Sequence, residues 1–128
     1  MALLWPPILL NFTHYPIPKH MEDTKAFFMV KWQIQPGQEE VVRQALTQLV
    51  NYSRTEPGCL YYQPHVSTVQ PDLVYIYEVY ASPAAAAAHR ETEHFRKIVL
   101  GTIVPLLLSR EVVEVRPLSE VANSRFQE

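Results

Sequence analysis

The segment Leu73–Phe95, LVYIYEVYASPAAAAAHRETEHF, constrains the fold of this chain more than any other. Leu73 to Tyr80 is apolar and aromatic apart from Glu78, and it is rich in the residue types that suit a pleated, half-buried strand. Ser82 can cap the free N–H groups of a helix start, and Pro83 suits the first helical position. Five alanines follow, each a strong helix former, and then His89 and His94-Phe95. A strand that turns sharply into a helix must be packed on by that helix or by a neighbour. The same segment carries a lone acid inside its aromatic strand and, beyond the turn, two histidines.

The rest of the chain supplies the partners. Lys25–Gln35 (KAFFMVKWQIQ) alternates as a strand, with Phe28, Val30, Trp32 and Ile34 on one face and Phe27, Met29, Lys31 and Gln33 on the other. Pro36-Gly37 ends it. A helix from about Gln38 to Arg54 follows, with acids in its first turn and an apolar stripe of Val41, Val42, Ala45, Leu46, Leu49 and Val50. Glu56-Pro57-Gly58 stops it. Cys59–Val66 (CLYYQPHV) is a second strand, and Pro64 within it calls for an edge position or a bulge. Ser67–Asp72 connects it to the strand Leu73–Tyr80 as a hairpin with a longer loop. A helix from Pro83 to about Arg90 and another from about His94 to Val104 come next. The second carries a stripe of Phe95, Ile98, Val99, Thr102 and Ile103 and is ended or kinked by Pro105. Arg110–Arg116 (REVVEVR) is the last strand. The order β-α-β-β-α-β specifies an α+β protein of the ferredoxin-like, split βαβ type. Its helices cover one sheet face, yet the strands are apolar on both. A partner sheet is the simplest cover, so a symmetric homodimer is predicted.

Size and charge narrow the function classes. The 128 residues fit one domain, and a net charge of −2 offers no basic footprint for nucleic acid and no polybasic membrane patch. The single cysteine, Cys59, forms neither an internal disulfide nor a cysteine metal site, which favours a reducing, cytoplasmic setting. Residues 1–24 contain Pro6, Pro7, Pro16 and Pro18 without helical or strand periodicity. They are read as an irregular extension. The apolar run near the start lacks a preceding positive charge and a small-residue cleavage site, so it is not read as a signal peptide, and it is too short to span a bilayer. The compact domain is placed at 25–118 and a tail at 119–128.

Three segments, PGQEE after the first strand, TEPGCLYYQPH, and VYIYEVYASPAAAAAHRETEHF, resemble the antibiotic biosynthesis monooxygenase domain. The resemblance covers about Lys25 to Leu118 and rests on the Glu-Pro-Gly-Cys segment, the glutamate near the end of the third strand and the His-x4-His-Phe pattern. It implies a dimeric α/β barrel, each subunit ferredoxin-like. It also implies cofactor-independent oxidation of a small quinol-like or polyphenolic aromatic by dioxygen. The substrate does the redox work, and the protein excludes water, orients the ring and manages protons.

Each candidate residue carries a functional and an ordinary reading. His89 matches the histidine after the family's alanine-rich segment and is the candidate proton acceptor; its ordinary reading is a helix-end histidine bound to a backbone carbonyl. Glu78 acts as a base or orients a histidine, or else forms a structural ion pair with Arg54 or Arg90. Trp32 and Phe28 line a substrate cavity or simply fill the core. Tyr62, His65 and His94 complete the candidate substrate-binding set, with His65 facing solvent and His94 starting a helix as the ordinary alternatives. No metal site is expected. His89 and His94 are five apart and do not share a helical face, and there is no H-E-x-x-H or cysteine cluster. Cys59 is read as packing. The rival reading is a non-catalytic ligand-binding or oligomerisation domain on the same fold, and a third is isomerase-like activity on a small phosphorylated sugar.

Overall fold

A computed structural model of the chain describes residues 25–118. The extension 1–24 and the tail 119–128 lie outside the described residues. The elements run β1 (Ala26–Ile34), α1 (Glu39–Ser53), β2 (Cys59–Val66), β3 (Leu73–Tyr80), α2 (Pro83–Arg90), a π-helix (Phe95–Ile103), a 3-10 turn (Val104–Leu106) and β4 (Leu107–Val115). The four strands form one antiparallel sheet in the order β2-β3-β1-β4. This is the ferredoxin-like fold read from the pattern. Pro64 lies on β2, an edge strand, where its missing N–H removes no ladder bond on the open side. The irregularity in β2 falls between Cys59 and Tyr61.

The register sets the site. Tyr62 of β2 pairs with Glu78 of β3, Glu78 with Phe28 of β1, and Phe28 with Glu114 of β4. Tyr62, Glu78 and Phe28 of this row are buried under the helices, while Glu114 at its end is exposed. Val30, Trp32 and Ile34 of β1 and Val74 and Ile76 of β3 pack there with Val42, Leu46, Leu49 and Val50 of α1 and with Phe95, Val99 and Ile103 of the π-helix. Full burial of each such side chain stabilises the fold by about 1.5–3 kcal/mol. A smaller cluster of Ala26, Phe28, Tyr80 and Ala86 seats α2. The alanines matter for their size as well as their propensity, because Ala86 lies against the sheet where a larger side chain would hold the helix off.

Three expectations change. Val41 is exposed, so the stripe of α1 is narrower than its sequence suggested. The second helical segment is wound as a π-helix, in which the Val104 N–H bonds to Val99 O. Its wider i→i+5 turn puts Phe95, Val99 and Ile103 on the buried face and turns Thr102 outward. The 3-10 turn then absorbs Pro105, and β4 begins at Leu107 rather than Arg110. On the opposite sheet face Met29, Tyr75 and Val113 are 53%, 42% and 47% exposed. Among the described residues, no helix is long and apolar enough to cross a membrane.

Candidate functional site

Three separate pieces of chain converge on one carboxylate oxygen. Oε2 of Glu56 lies 2.8 Å from Nδ1 of His89 and 2.5 Å from Nε2 of His94, so both rings donate to the same acceptor. Glu56 sits in the turn that ends α1. Its N–H bonds to Ser53 O, its own carbonyl accepts from Cys59 N–H, and the following Gly58 carbonyl accepts from Ala81 N–H. Gly58 is required for approach: a Cβ there would lie 2.4 Å from Cβ of Ala85. This contact lets the turn lie on α2 and brings Glu56 over His89.

The histidine side is fixed by caps. Ser82 accepts from Ala85 N–H at the start of α2, as its sequence predicts. His89 occupies the last turn. Thr92 then donates its hydroxyl to His89 O at 2.7 Å and accepts from Phe95 N–H. That clip reverses the chain between the two helical segments and swings His94 back to Glu56. The five-residue spacing therefore does not separate the two histidines, because α2 ends between them.

The cluster is enclosed by aromatic rings. His89 is 1% exposed, with ring centroids of Phe95, Tyr80 and Tyr62 at 5.2, 5.3 and 5.7 Å. His94 is at the rim, its side chain 16% exposed and stacked on Tyr52 at 5.5 Å. Burial alone would raise the Glu56 carboxyl, but its bonds to His89 and His94 outweigh that and hold it below the ordinary carboxylate range.

Glu78 stands apart from this arrangement. It is 5% exposed and its Oε1 accepts from the Tyr80 hydroxyl at 2.6 Å. Burial raises its carboxyl above the ordinary range, and the proximity of His89 and the Tyr80 bond offset this only in part. Burial and the Glu78 charge push both the Tyr62 and the Tyr80 phenols upward. Cys59 is pushed up to about 11 by burial and by Glu56 and Glu78, which suits packing rather than nucleophilic chemistry.

Of the residues singled out in the sequence, His89, His94 and Tyr62 come together, with Glu78 beside them. The acid hydrogen-bonded to His89 is Glu56, not Glu78. Arg54, one expected partner of Glu78, instead donates to Tyr62 O and Gln63 Oε1. Trp32 belongs to the main core and Phe28 packs edge-on to Tyr80 at 6.1 Å. His65 is exposed and faces a separate cleft of about 620 Å³ between α1 and the β2–β3 edge, floored by Val42, Leu46 and Val74. A smaller cleft of about 360 Å³ is lined by Arg54, Cys59, Leu60, Tyr61 and Tyr62, and the Tyr62 ring centroid is 5.7 Å from that of His89. The sequence pattern marks Glu56 only as part of a helix stop. The signal available for it was its place in the Glu-Pro-Gly-Cys segment.

Comparison with known proteins agrees with this architecture. The family model described as antibiotic biosynthesis monooxygenase matches residues 26–99, more than half of the chain. A crystal structure named as a putative antibiotic biosynthesis monooxygenase from Bacteroides thetaiotaomicron is 28% identical with a TM-score of 0.70, covering 76% of this chain and 92% of that one. A Pseudomonas aeruginosa protein is 30% identical with a TM-score of 0.70, covering 76% and 97%. A further structure named antibiotic biosynthesis monooxygenase is 26% identical with a TM-score of 0.70, covering 73% and 98%. No curated protein matches the chain. The matched region holds the turn of Glu56, both histidines and three of the four strands, and on that ground the chain belongs to the antibiotic biosynthesis monooxygenase family.

Proposed function

We propose that this protein is a monooxygenase that oxidises a small quinol-like or polyphenolic aromatic with dioxygen and without a cofactor, His89 taking the proton. The observation that carries the reading is the shared Glu56 oxygen: it holds two imidazoles in one orientation inside an aromatic enclosure. A carboxylate on one nitrogen of a histidine fixes the tautomer and stabilises the imidazolium formed when the other nitrogen accepts a proton. Tyr62 lines the 360 Å³ cleft and its ring lies against His89, so in this reading displacement of that ring brings a substrate to the base. His89 takes a phenolic proton. The resulting anion passes one electron to dioxygen, and the two radicals combine. Loss of water then leaves a hydroxylated quinone, so that quinol plus dioxygen gives hydroxyquinone plus water.

The test is oxygen uptake by metal-stripped protein with a panel of reduced quinols, using labelled dioxygen to follow incorporation. Uptake with one labelled oxygen in the product is expected. A fall of at least tenfold in His89→Ala, about 1.4 kcal/mol of transition-state stabilisation, supports the role of His89. Absence of uptake by folded protein across the panel would favour the second reading, a ligand-binding domain. The 620 Å³ cleft supports that alternative, because it has an apolar floor, a size suited to a small ligand and no contact with the histidine cluster.

The proposal includes a homodimer. The exposed Met29, Tyr75 and Val113 make an apolar sheet face that a second copy would cover. Sedimentation of Met29→Lys/Val113→Lys as a monomer, with the wild type dimeric, is the expected result. A monomeric wild type would remove this part of the proposal.

A further inference from the structure

We propose that Glu56, His89 and His94 form a binding site for a first-row divalent cation of the zinc class, and that its occupancy switches off the proposed proton acceptor. The donor set is two imidazole nitrogens and one carboxylate oxygen, the ligand types such ions prefer, with a further position open for water. His89, His94 and Glu56 each offer one donor atom, and the three lie within 4.8 Å of one another. They come from a turn, the end of α2 and the residue before the π-helix, the turn held by backbone bonds and the histidine segment by the Thr92 hydroxyl. The Glu56 turn is closed by Glu56 N–H to Ser53 O and Cys59 N–H to Glu56 O, and the histidine segment is clipped by Thr92. The present contacts of 2.8 and 2.5 Å are hydrogen-bond lengths. A tetrahedral ion with bonds of about 2.0–2.1 Å needs its ligands roughly 3.3 Å apart, so each histidine nitrogen must move away from the Glu56 oxygen by less than an ångström. His94 and Glu56 lie at the rim and supply that movement and the access route, since their side chains are 16% and 12% exposed.

The coupling to activity follows from proton placement and rests on the function proposed above. In the hydrogen-bonded state His89 carries its proton on Nδ1, which leaves Nε2 to accept. Coordination through Nδ1 requires the proton on Nε2, and no ring nitrogen is then left to act as a base.

The experiment titrates the metal-stripped full chain with Co²⁺, read by its visible absorption, and with Zn²⁺ by calorimetry. Glu56→Gln, His94→Ala and His65→Asn are measured alongside, with oxygen uptake followed in parallel. One equivalent bound by wild type and His65→Asn is expected, with at least tenfold weaker binding in the other two variants. Glu56→Gln keeps an oxygen acceptor for one ring and guards against a result caused by misfolding. Zn²⁺ inhibition at the binding midpoint, reversed by a chelator, supports the switch. Equal binding by wild type, Glu56→Gln and His94→Ala, or no Co²⁺ spectrum at 100 µM (about −5.5 kcal/mol of binding), overturns the site. Binding without inhibition overturns the switch. Binding by a wild type that consumes no oxygen keeps the site and overturns the catalytic reading instead.

Discussion

Glu56 and Glu78 both lie close to His89, yet the turn and the strand treat them oppositely. Glu56 sits in a turn at the rim, where two ring N–H groups converge on one oxygen and hold the carboxylate ionised. Glu78 is fixed under the helices by strand register, has the Tyr80 hydroxyl as its hydrogen-bond partner and is pushed toward its neutral form. Burial penalises a charge in both places, so the number and kind of donors decide which acid keeps its charge. The acid built into the centre of the sheet is therefore less suited to orient a histidine than the one carried by a loop.

Removing Glu56 should have the largest effect. Glu56→Ala leaves the buried His89 ring without its partner and removes two hydrogen bonds to a charged group, a loss of about 3 kcal/mol measurable by urea unfolding. The same variant should lose at least tenfold in oxygen uptake, whereas Glu78→Gln should lose less than threefold. Equal losses would erase the distinction between the two acids.

The next effect tests how Glu56 is placed. Gly58→Ala drives a Cβ into Ala85 and should cost about 2 kcal/mol, as overpacking does. The double variant Gly58→Ala/Ala85→Gly should recover more than half of it. Failure of the second change to restore stability would mean that the turn is not held by this approach.

Tyr80→Phe removes the donor from Glu78 and should cost about 1 kcal/mol, without changing the position of Glu56. Thermal unfolding of the variant checks it.

The smallest effect is the pH dependence. The folded Glu78 carboxyl lies above its unfolded value of about 4.3, so its contribution is fully present below that pH and is lost as pH rises through the folded value. Glu56 has the opposite sign in the metal-free protein: its contribution is present above the unfolded value and lost as pH falls through the folded one. Glu78→Gln keeps an acceptor for Tyr80 and does not ionise. Its melting temperature should therefore rise relative to wild type as pH is raised from about 4.3 toward neutrality. A constant difference over that range would show that Glu78 stays charged.

The order of elements was legible in the chain because periodicity, caps and breakers are local. The Leu73–Tyr80 alternation, the Ser82-Pro83 start and the Pro-Gly stop after β1 each act within a few residues, and each appears in the structure. His89 was legible as a candidate because the family pattern marks it. The partner of His89 was not, because Glu56 lies 33 residues away in sequence and its approach depends on a glycine meeting an alanine of another element. The outward turn of Thr102 was also hidden, since its position assumes a turn width that the sequence does not print.

The sequence by itself therefore determined the α+β order, the restriction of the proline-bearing strand to an edge or a bulge, and the apolar character of both sheet faces. These follow from side-chain alternation and backbone chemistry along the chain. Only the tertiary structure decided which acid holds the histidines and that both histidines share one oxygen. Those outcomes depend on how closely the Glu56 turn and α2 can approach, a distance set by packing between residues that are not neighbours in sequence.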